Sequence, residues 1–394
     1  MDYTNCISTT NRALSCRNGI DELFESLKIS YPLLSRLCVT VTHSDYLENF
    51  HVIDSQHTGD RYDVVSMASS SCLSLMQIIE NEEIRIVSDL AELPNNERVR
   101  KLRSLGHQSS LTIGIKLNQT EGALLFFNST QPGYFENGAL HSDLLFVKEV
   151  IFSLLCHDKN KHQMLLQALK LALSISHKRD PETADHLHRM GLYSKLLAEL
   201  LAKSQPINHR FIQWIELYAP FHDIGKYRIP DEILFSTKRF TAKERSIMNQ
   251  HVHYGVDIID DVLTTIDAVH STSAEIEFLK NIILCHHERY DGQGYPLNLA
   301  HTAIPLEARI VSIADVFDAL LSKRAYKPAW PIEKTKQYIA MQTGKAFDPM
   351  VVDTLVTNFE QFEAIYRQHP PKEINTEQDA PAIQKTQEAI KPSL

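Results

Sequence analysis

The stretch that decides the fold of the C-terminal half reads His286-His287-Glu288-Arg289-Tyr290-Asp291-Gly292-Gln293-Gly294-Tyr295-Pro296. Two adjacent histidines end an apolar run, and a glycine-rich turn follows them directly. Neighbouring residues on an α-helix point about 100° apart, so adjacent histidines suit two metal ions, or one ion and its substrate, better than a single ion. Gly292 and Gly294 permit backbone angles that other residues resist, which would let the loop fold back over a site. The alternative is an ordinary pair of surface histidines before a turn.

The composition is that of an ordinary globular chain, and it argues against several classes of protein. The 394 residues are 43% hydrophobic and 23% charged, which allows roughly two or three domains. A formal net charge of −9 argues against a binding surface for DNA or RNA polymers. Neither a signal peptide nor a run of about 18 uncharged apolar residues is evident, so no membrane association is expected. Six scattered cysteines without a C-x-x-C pair are typical of the reducing cytoplasm.

The N-terminal part of the chain mixes helical and strand patterns. A polar arm at 1–18 precedes a helical pattern that begins at Gly19 and another at 71–80. Strand patterns occur at 37–42, 50–53, 84–87, 111–117 and 122–128. A further helical pattern follows Phe135. This order, over residues 19–155, resembles that of the GAF domain, a small-molecule sensor, with a PAS-like sensor as the alternative. We therefore expect an α/β sensor domain whose ligand the sequence does not identify.

Helical patterns dominate the rest of the chain. Apolar residues recur at spacings of three and four through residues 156–365, which predicts an all-α domain and, with the N-terminal part, an α+β two-domain chain. Asp143–Ser176 reads as one long helix or as two with a short break. Its apolar stripe predicts either core packing or the seam of a homodimer. Residues 370–394 are rich in Pro, Gln, Glu, Lys and Thr, and we expect them to be disordered.

Potential metal ligands recur through this helical part. Of 19 histidines, 13 lie within residues 157–301, and such clustering suggests imidazole ligands for a transition metal. Glu182 and His186 are four residues apart and share one face of a helix, although a lone pair of this kind is most often solvated. Asp315 lies in apolar sequence, where a carboxylate is costly to bury unless it is paired or bound to metal. Helix capping or a salt bridge to Arg324 is the alternative for Asp315 and for Asp318.

Several separated motifs of the helical part form an ordered set. They are His222-Asp223-Ile224-Gly225-Lys226, His286-His287-Glu288, Asp291-Gly292-Gln293-Gly294-Tyr295-Pro296, and Asp315-x-x-Asp318-Ala319 followed by Arg324-Ala325-Tyr326-Lys327. The set resembles the HD-GYP family of metal-dependent cyclic dinucleotide phosphodiesterases over residues 165–365. The resemblance implies an HD-type helical bundle that hydrolyses cyclic di-GMP to pGpG and GMP, or 3′,3′-cyclic GMP-AMP. It also implies a cytoplasmic enzyme with two or three divalent metal ions, iron or alternatively manganese, and regulation by the N-terminal domain.

The resemblance further implies roles for individual residues. Asp223 would bridge two ions, and Glu182 matches a glutamate that is associated with a third ion. A metal-activated hydroxide would attack phosphorus, with Asp223, Lys226 and Asp318 as the catalytic residues and Asp318 orienting the water or accepting a proton. The implied metal ligands are Glu182, His186, His222, Asp223, His251, His286, His287 and Asp315. The implied substrate contacts are Lys226, Tyr295, Arg324 and Lys327.

Two other functions are compatible with the same residues. A non-catalytic receptor would bind a cyclic dinucleotide at an intact centre and signal to a protein partner. Another HD-type phosphohydrolase would act on nucleotides, and the Gly294-Tyr295-Pro296 loop argues against this second alternative.

Overall fold

The computed structural model describes residues 3–4, 15–43, 46–56, 66–69, 72–136, 138–179, 184–265, 274–322 and 329–370. The chain divides into two compact units, Met1–Met164 and Leu165–Leu394. The first unit contains a sheet and the second is mostly helical, so the α+β two-domain organisation expected from the sequence is confirmed. Most of the predicted N-terminal arm and almost all of the predicted disordered tail lie outside the described residues.

A six-stranded antiparallel sheet forms the first unit, in the order β3-β2-β1-β6-β5-β4. The strands are β1 (Leu34–Thr42), β2 (Tyr46–Asp54), β3 (Ser66–Ala68), β4 (Ile84–Val87), β5 (Ser109–Lys116) and β6 (Gly122–Ser129). The helices are α1 (Cys16–Ser30), α2 (Leu73–Glu80) and α3 (Glu97–Ser104), followed by α4 (Gly138–His177). Sequence patterns do not predict β3, which has three residues, or α3, where only Val99 and Leu102 are buried.

The central strands divide their side chains between two cores. Successive residues of a strand point to opposite faces of a sheet. Val39 and Phe127 therefore lie in a core that includes α1 and the first part of α4, whereas Cys38 and Phe126 pack with Ile79 of α2 on the other face.

The apolar stripe of α4 is core packing. Leu144, Val147, Ile151 and Leu155 are all buried, and they belong to the core cluster that contains β1 and β6. The helix is continuous over its 40 residues, which decides between the one-helix and two-helix interpretations. A homodimer through this region stays a prediction.

The second unit packs its helices around one large apolar cluster that includes Tyr193, Ile283 and Phe317. Within the described ranges, no helix of either unit is both long and apolar enough to cross a membrane. The helices are α5 (Ala184–Leu201), α6 (His209–Tyr218), α7 (Asp231–Leu234), α8 (Ala242–Met248), α9 (His251–Thr265), α10 (Ala274–Cys285), α11 (Leu306–Leu321), α12 (Ile332–Met341), α13 (Pro349–Thr357) and α14 (Phe359–Gln368).

Candidate metal centre

The His222-Asp223 pair lies in a tight turn between two short 3₁₀ helices, Ala219–Phe221 and Ile224–Arg228. Gly225 allows this turn to pack directly against the start of α9. A Cβ atom on Gly225 would lie 1.8 Å from the carbonyl oxygen of His251, so no other residue fits without displacing the backbone. The glycine thereby brings the pair close to His251, the first residue of α9.

His286 and His287 follow the last residue of α10, and both face the same site. The prediction that adjacent histidines serve different ions rests on helical geometry, which does not apply to them because the helix ends at Cys285. Which ion each ring binds stays a prediction. The two rings lie with centroids 4.0 Å apart and an interplanar angle of 41°. Both can therefore reach one ion.

Seven of the predicted ligands form two groups of potential donor atoms. Within each group the donor atoms lie within 4.8 Å of one another. One group is Asp223, His251, His286 and His287, and the other is His186, His222 and Asp315.

The Asp223 carboxylate lies between the two groups. Its Oδ2 is 3.2 Å from Nε2 of His222 in the second group. Its Oδ1 is 3.1 Å from Nε2 of His251 and 3.7 Å from Nε2 of His286 in the first. The position is that of a carboxylate able to bridge two ions.

Backbone carbonyl groups fix the orientation of three of the rings. Nδ1 of His222 is 2.9 Å from the carbonyl oxygen of Ala219, and Nδ1 of His251 is 2.8 Å from that of Met248. Nδ1 of His286 is 3.1 Å from carbonyl oxygens of the preceding turn. Because a carbonyl oxygen only accepts, each Nδ1 donates, and in the neutral ring Nε2 keeps its lone pair.

These lone pairs face other hydrogen-bond acceptors. A bound cation would make this arrangement favourable. Nε2 of His222, His251 and His286 and Oδ1 of Asp223 are buried, and none makes a hydrogen bond of good geometry with any described residue. Buried polar atoms rarely lack partners, and acceptors facing acceptors repel one another. The donors are imidazole nitrogen and carboxylate oxygen without thiolate, a set that fits divalent transition metals. The residues thus fit a metal site.

For Asp223, His286 and His287 the shifts in pKa favour the protonation states that bind metal, whereas Asp223 and Asp315 outweigh burial and raise the pKa of His222. Burial alone would raise the pKa of Asp223, but Lys226 and His222 outweigh it and the pKa lies well below its ordinary value. The Lys226 ammonium lies 2.7 Å from Oδ2 of Asp223. Burial lowers the pKa of His286 and of His287, which keeps both rings neutral near neutral pH.

Asp318 is fully buried and contacts Nδ1 of His186, one of the predicted metal ligands. Its Oδ2 accepts a hydrogen bond from Nδ1 of His186 at 2.7 Å. The Arg189 guanidinium donates to both carboxylate oxygens, at 2.5 and 2.8 Å. Sequence reasoning missed Arg189; its place three residues after His186, on a helix with an apolar face, is a weak signal because its partner is 129 residues away in the chain.

Residues 288–299 form a loop that folds back beside the rings. Glu288 is buried, and its two carboxylate oxygens accept hydrogen bonds from the backbone N–H groups of Leu297 and Leu299, at 2.6 and 3.0 Å. Gly292 has the positive φ, +75°, that the sequence predicted for the turn. These contacts hold Tyr295 with its ring centroid 4.8 Å from that of His287. Sequence reasoning did not identify this role of Glu288.

An open pocket of about 410 Å³ adjoins Tyr295. Its lining comes from α8, the start of α9 and the loop, and it is rich in hydrogen-bonding groups. The lining residues are Ala242, Arg245, Ser246, Asn249, Gln250, His253, Tyr295 and Pro296. Three other predicted site residues, Glu182, Arg324 and Lys327, lie outside the described residues.

Comparison with known proteins shows what the helical unit is similar to. Residues 179–351, fewer than half of the chain, match the family model described as HD domain. HD-domain phosphohydrolases use divalent metals, and the match supports the HD part of the resemblance expected from the sequence.

Several relatives that the chain matches are named as cyclic dinucleotide phosphodiesterases. The chain is 41% identical over 196 residues to the cyclic di-GMP phosphodiesterase response regulator RpfG of Xanthomonas campestris, covering 50% of this chain and 48% of the relative. It is 38% identical to a cyclic di-GMP phosphodiesterase of Vibrio cholerae, with 49% and 39% covered. It is 39% identical to 3′3′-cGAMP-specific phosphodiesterase 2 of the same species, with 48% and 33% covered. The chain therefore spans half or less of the length of these three relatives.

Replacing Gly225 should disrupt the centre. We expect Gly225→Ala to lower the free energy of unfolding by about 3 kcal/mol, because its methyl group cannot fit against the start of α9. The variant should also lose bound metal, since His222 and Asp223 would move away from His251. Thermal unfolding and elemental analysis measure the two effects, and an unchanged midpoint with full metal content would contradict this account of Gly225.

Removing the charge of Asp318 tests whether its hydrogen bond to His186 supports metal binding. We expect Asp318→Asn to weaken metal affinity by about 10–100-fold, as for other partners of ligating histidines. Chelator competition measures the affinity, and Asp353→Asn, an exposed carboxylate on α13, serves as the control. A variant with normal metal affinity and a large loss of turnover would instead support proton transfer by Asp318.

Proposed function

We propose that the chain is a metal-dependent phosphodiesterase that hydrolyses a cyclic dinucleotide, cyclic di-GMP or 3′,3′-cyclic GMP-AMP. The observation that carries the proposal is the pair of donor groups joined by the buried carboxylate of Asp223. The names of the relatives support the substrate class, because they include enzymes for both messengers. The products would be pGpG and then GMP for cyclic di-GMP.

Two divalent ions would occupy the centre, iron or alternatively manganese. Asp223, His251, His286 and His287 would hold one, and His186, His222 and Asp315 the other, with Asp223 shared between them. When bound, such a pair of ions lowers the pKa of a water molecule and offsets the negative charge of the phosphodiester. A third ion held with the help of Glu182 is part of the proposal.

The chain's own residues would bind and orient the substrate around these ions. Lys226 places an ammonium group at the edge of the centre, where it can donate to a phosphate oxygen and stabilise charge that develops there. Arg324 and Lys327 are proposed as further phosphate contacts. Tyr295 stands between the rings and the open pocket, so its ring and the polar lining of the pocket could receive the part of the dinucleotide beyond the reacting phosphate.

Asp318 is proposed here as a positioning residue. Its carboxylate oxygens already accept hydrogen bonds from Arg189 and His186, so it has little capacity left to handle a water molecule. By accepting a hydrogen bond from Nδ1 of His186, it leaves Nε2 of that ring available to an ion held by the second donor group. The role in orienting water that the sequence predicted is the alternative.

The first unit is proposed as the regulatory part. Its six-stranded antiparallel sheet, with helices packed on both faces, supports the GAF-like interpretation, and a PAS-like sensor stays the alternative. Cytoplasmic location is part of the same proposal.

The deciding experiment combines metal analysis with product analysis. The full chain is purified anaerobically, its metals are quantified, and the products from cyclic di-GMP and from 3′,3′-cyclic GMP-AMP are separated by chromatography in parallel. Cleavage of either by protein with two or three bound ions supports the enzyme and gives its preference. A fully metallated protein that binds both messengers and cleaves neither would favour the receptor.

The His222-Asp223 pair should be indispensable for turnover. We expect His222→Ala combined with Asp223→Ala to reduce hydrolysis at least about 1,000-fold, because both donor groups lose a ligand. Circular dichroism should show that the helices persist. His188→Ala combined with Asp353→Ala removes the same two residue types from exposed positions and should leave the rate unchanged. Undiminished turnover in the first variant would rule out the proposed metal mechanism.

The third ion depends on Glu182. We expect Glu182→Ala to lower the metal content from three ions per chain towards two, since the nitrogen ligands of the other two sites remain. Glu199→Ala, an exposed glutamate on α5, is the matched control for elemental analysis. The same metal content in both variants would count against a third site.

A further inference from the structure

A second unusual arrangement of polar groups lies in the first unit, on the face of the sheet that packs with α2. Arg98 of α3 places its guanidinium carbon 3.9 Å from the ring centroid of Phe126. The side chain is partly buried, and no carboxylate of the described residues forms an ion pair with it. Burial lowers the pKa of Arg98, and the nearby cations Arg36 and Arg85 lower it further. The guanidinium therefore lies in an environment that disfavours its charge.

A buried amide lies on the same face of the sheet as this contact, and the Arg36 guanidinium that donates to it is near enough to Arg98 to lower the pKa of Arg98. Asn128 is on the same strand as Phe126, two residues further, so both side chains project from one face about 7 Å apart. Its side chain is fully buried, and Oδ1 accepts a hydrogen bond from the Arg36 guanidinium at 3.0 Å. Because the guanidinium can only donate, the amide atom that faces it is the oxygen. The other amide atom, Nδ2, has no acceptor among the described residues.

The neighbouring strands add further donors to this patch. Ser110 of β5 is the register partner of Asn128, and Thr112 is the partner of Phe126. Both hydroxyl-bearing residues are buried. Asp54, the register partner of Arg36, already lies 3.0 Å from Nε2 of His107 and 3.7 Å from Nε of Arg36. The patch is thus rich in donors, and the nearby carboxylate of Asp54 is already paired with Arg36 and His107.

Packing alone does not explain this arrangement. The contact with Phe126 is favourable for a cation, but it compensates only part of the cost of partly burying a guanidinium that has no counter-ion among the described residues. A buried amide N–H₂ without an acceptor adds a second cost on the same patch. An anion bound between the two groups would remove both costs at once. Guanidinium and amide groups are also the donors that match the planar or tetrahedral oxygens of such an anion.

We propose that this face of the sheet binds a compact oxyanion, a phosphate or carboxylate group of a small molecule, between Arg98 and Asn128. Arg98 supplies the charge and paired N–H donors, and Asn128 supplies the donor at the floor of the site. The site is separate from the residues that make up the candidate metal centre.

Local hydrogen exchange provides the test, because it reads the two sites separately. The full chain is exposed to deuterated buffer with inorganic phosphate, with acetate, or with chloride alone, at constant ionic strength. At an anion concentration ten times its dissociation constant, we expect exchange in peptides covering Glu97–Ser104 to slow about tenfold, since binding stabilises the closed state. Peptides covering His286–Pro296 report any binding at the metal centre.

Two substitutions on the same helix make the comparison specific. Arg98→Met keeps the packing on Phe126 and removes the charge, so it should abolish the slowing without lowering the thermal midpoint. Arg100→Met removes an exposed cation two residues further along α3 and should keep the full slowing of exchange. Asn128→Asp, which has the same shape and adds a negative charge, is a second variant for the case that Arg98→Met does not fold.

The outcomes decide the proposal. Slowing by phosphate or by acetate that is lost in Arg98→Met, or in Asn128→Asp, supports the site, and the effective anion identifies the group. No slowing by either anion in the unmodified chain, or equal slowing in the variants, overturns it.

Discussion

The second unit depends on one constraint, the burial of the Asp223 carboxylate among imidazole rings. An ionised carboxylate is costly to bury without compensating charge, and the nearest compensation in the chain is Lys226, 2.7 Å from Oδ2. The other oxygen faces ring nitrogens whose neutral tautomers also present lone pairs. Divalent ions would turn this repulsion into coordination. The protein alone therefore places several hydrogen-bond acceptors against one another, and additional positive charge would offset their repulsion.

The rest of the helical unit serves to keep that set in place. Carbonyl groups of helix ends and tight turns hold His222, His251 and His286, so the backbone itself sets their orientation. His186 lies within a helix, where backbone carbonyl groups are already engaged, and a carboxylate supplied by α11 replaces them. The buried Arg189 then balances the charge of Asp318. This division explains why one ligand needs a long-range ion pair while the others do not.

The sequence identified residues that the structure brings together in the two donor groups, but not the contacts around them, for a physical reason. His222, Asp223, His251, His286, His287 and Asp315 stand in short motifs whose composition is visible locally. The Arg189–Asp318 pair and the bonds from Leu297 and Leu299 to Glu288 depend on how the chain folds back, which no local pattern records. The placement of the two adjacent histidines shows the same limit. Their relative direction depends on where α10 ends, and the apolar run before them does not show its last residue.

The first unit shows the same limit in a sheet. Strand-like patterns predicted most strands, and the central strands β1, β5 and β6 are buried at almost every position. Arg36, Asn128, Ser110 and Thr112 are buried polar residues of these strands, and no local pattern in the sequence relates them to one another. Only the register of β1, β5 and β6 brings them to one face. In both units the informative feature is a buried polar atom without a hydrogen-bond partner among the described residues, Oδ1 of Asp223 in one unit and Nδ2 of Asn128 in the other.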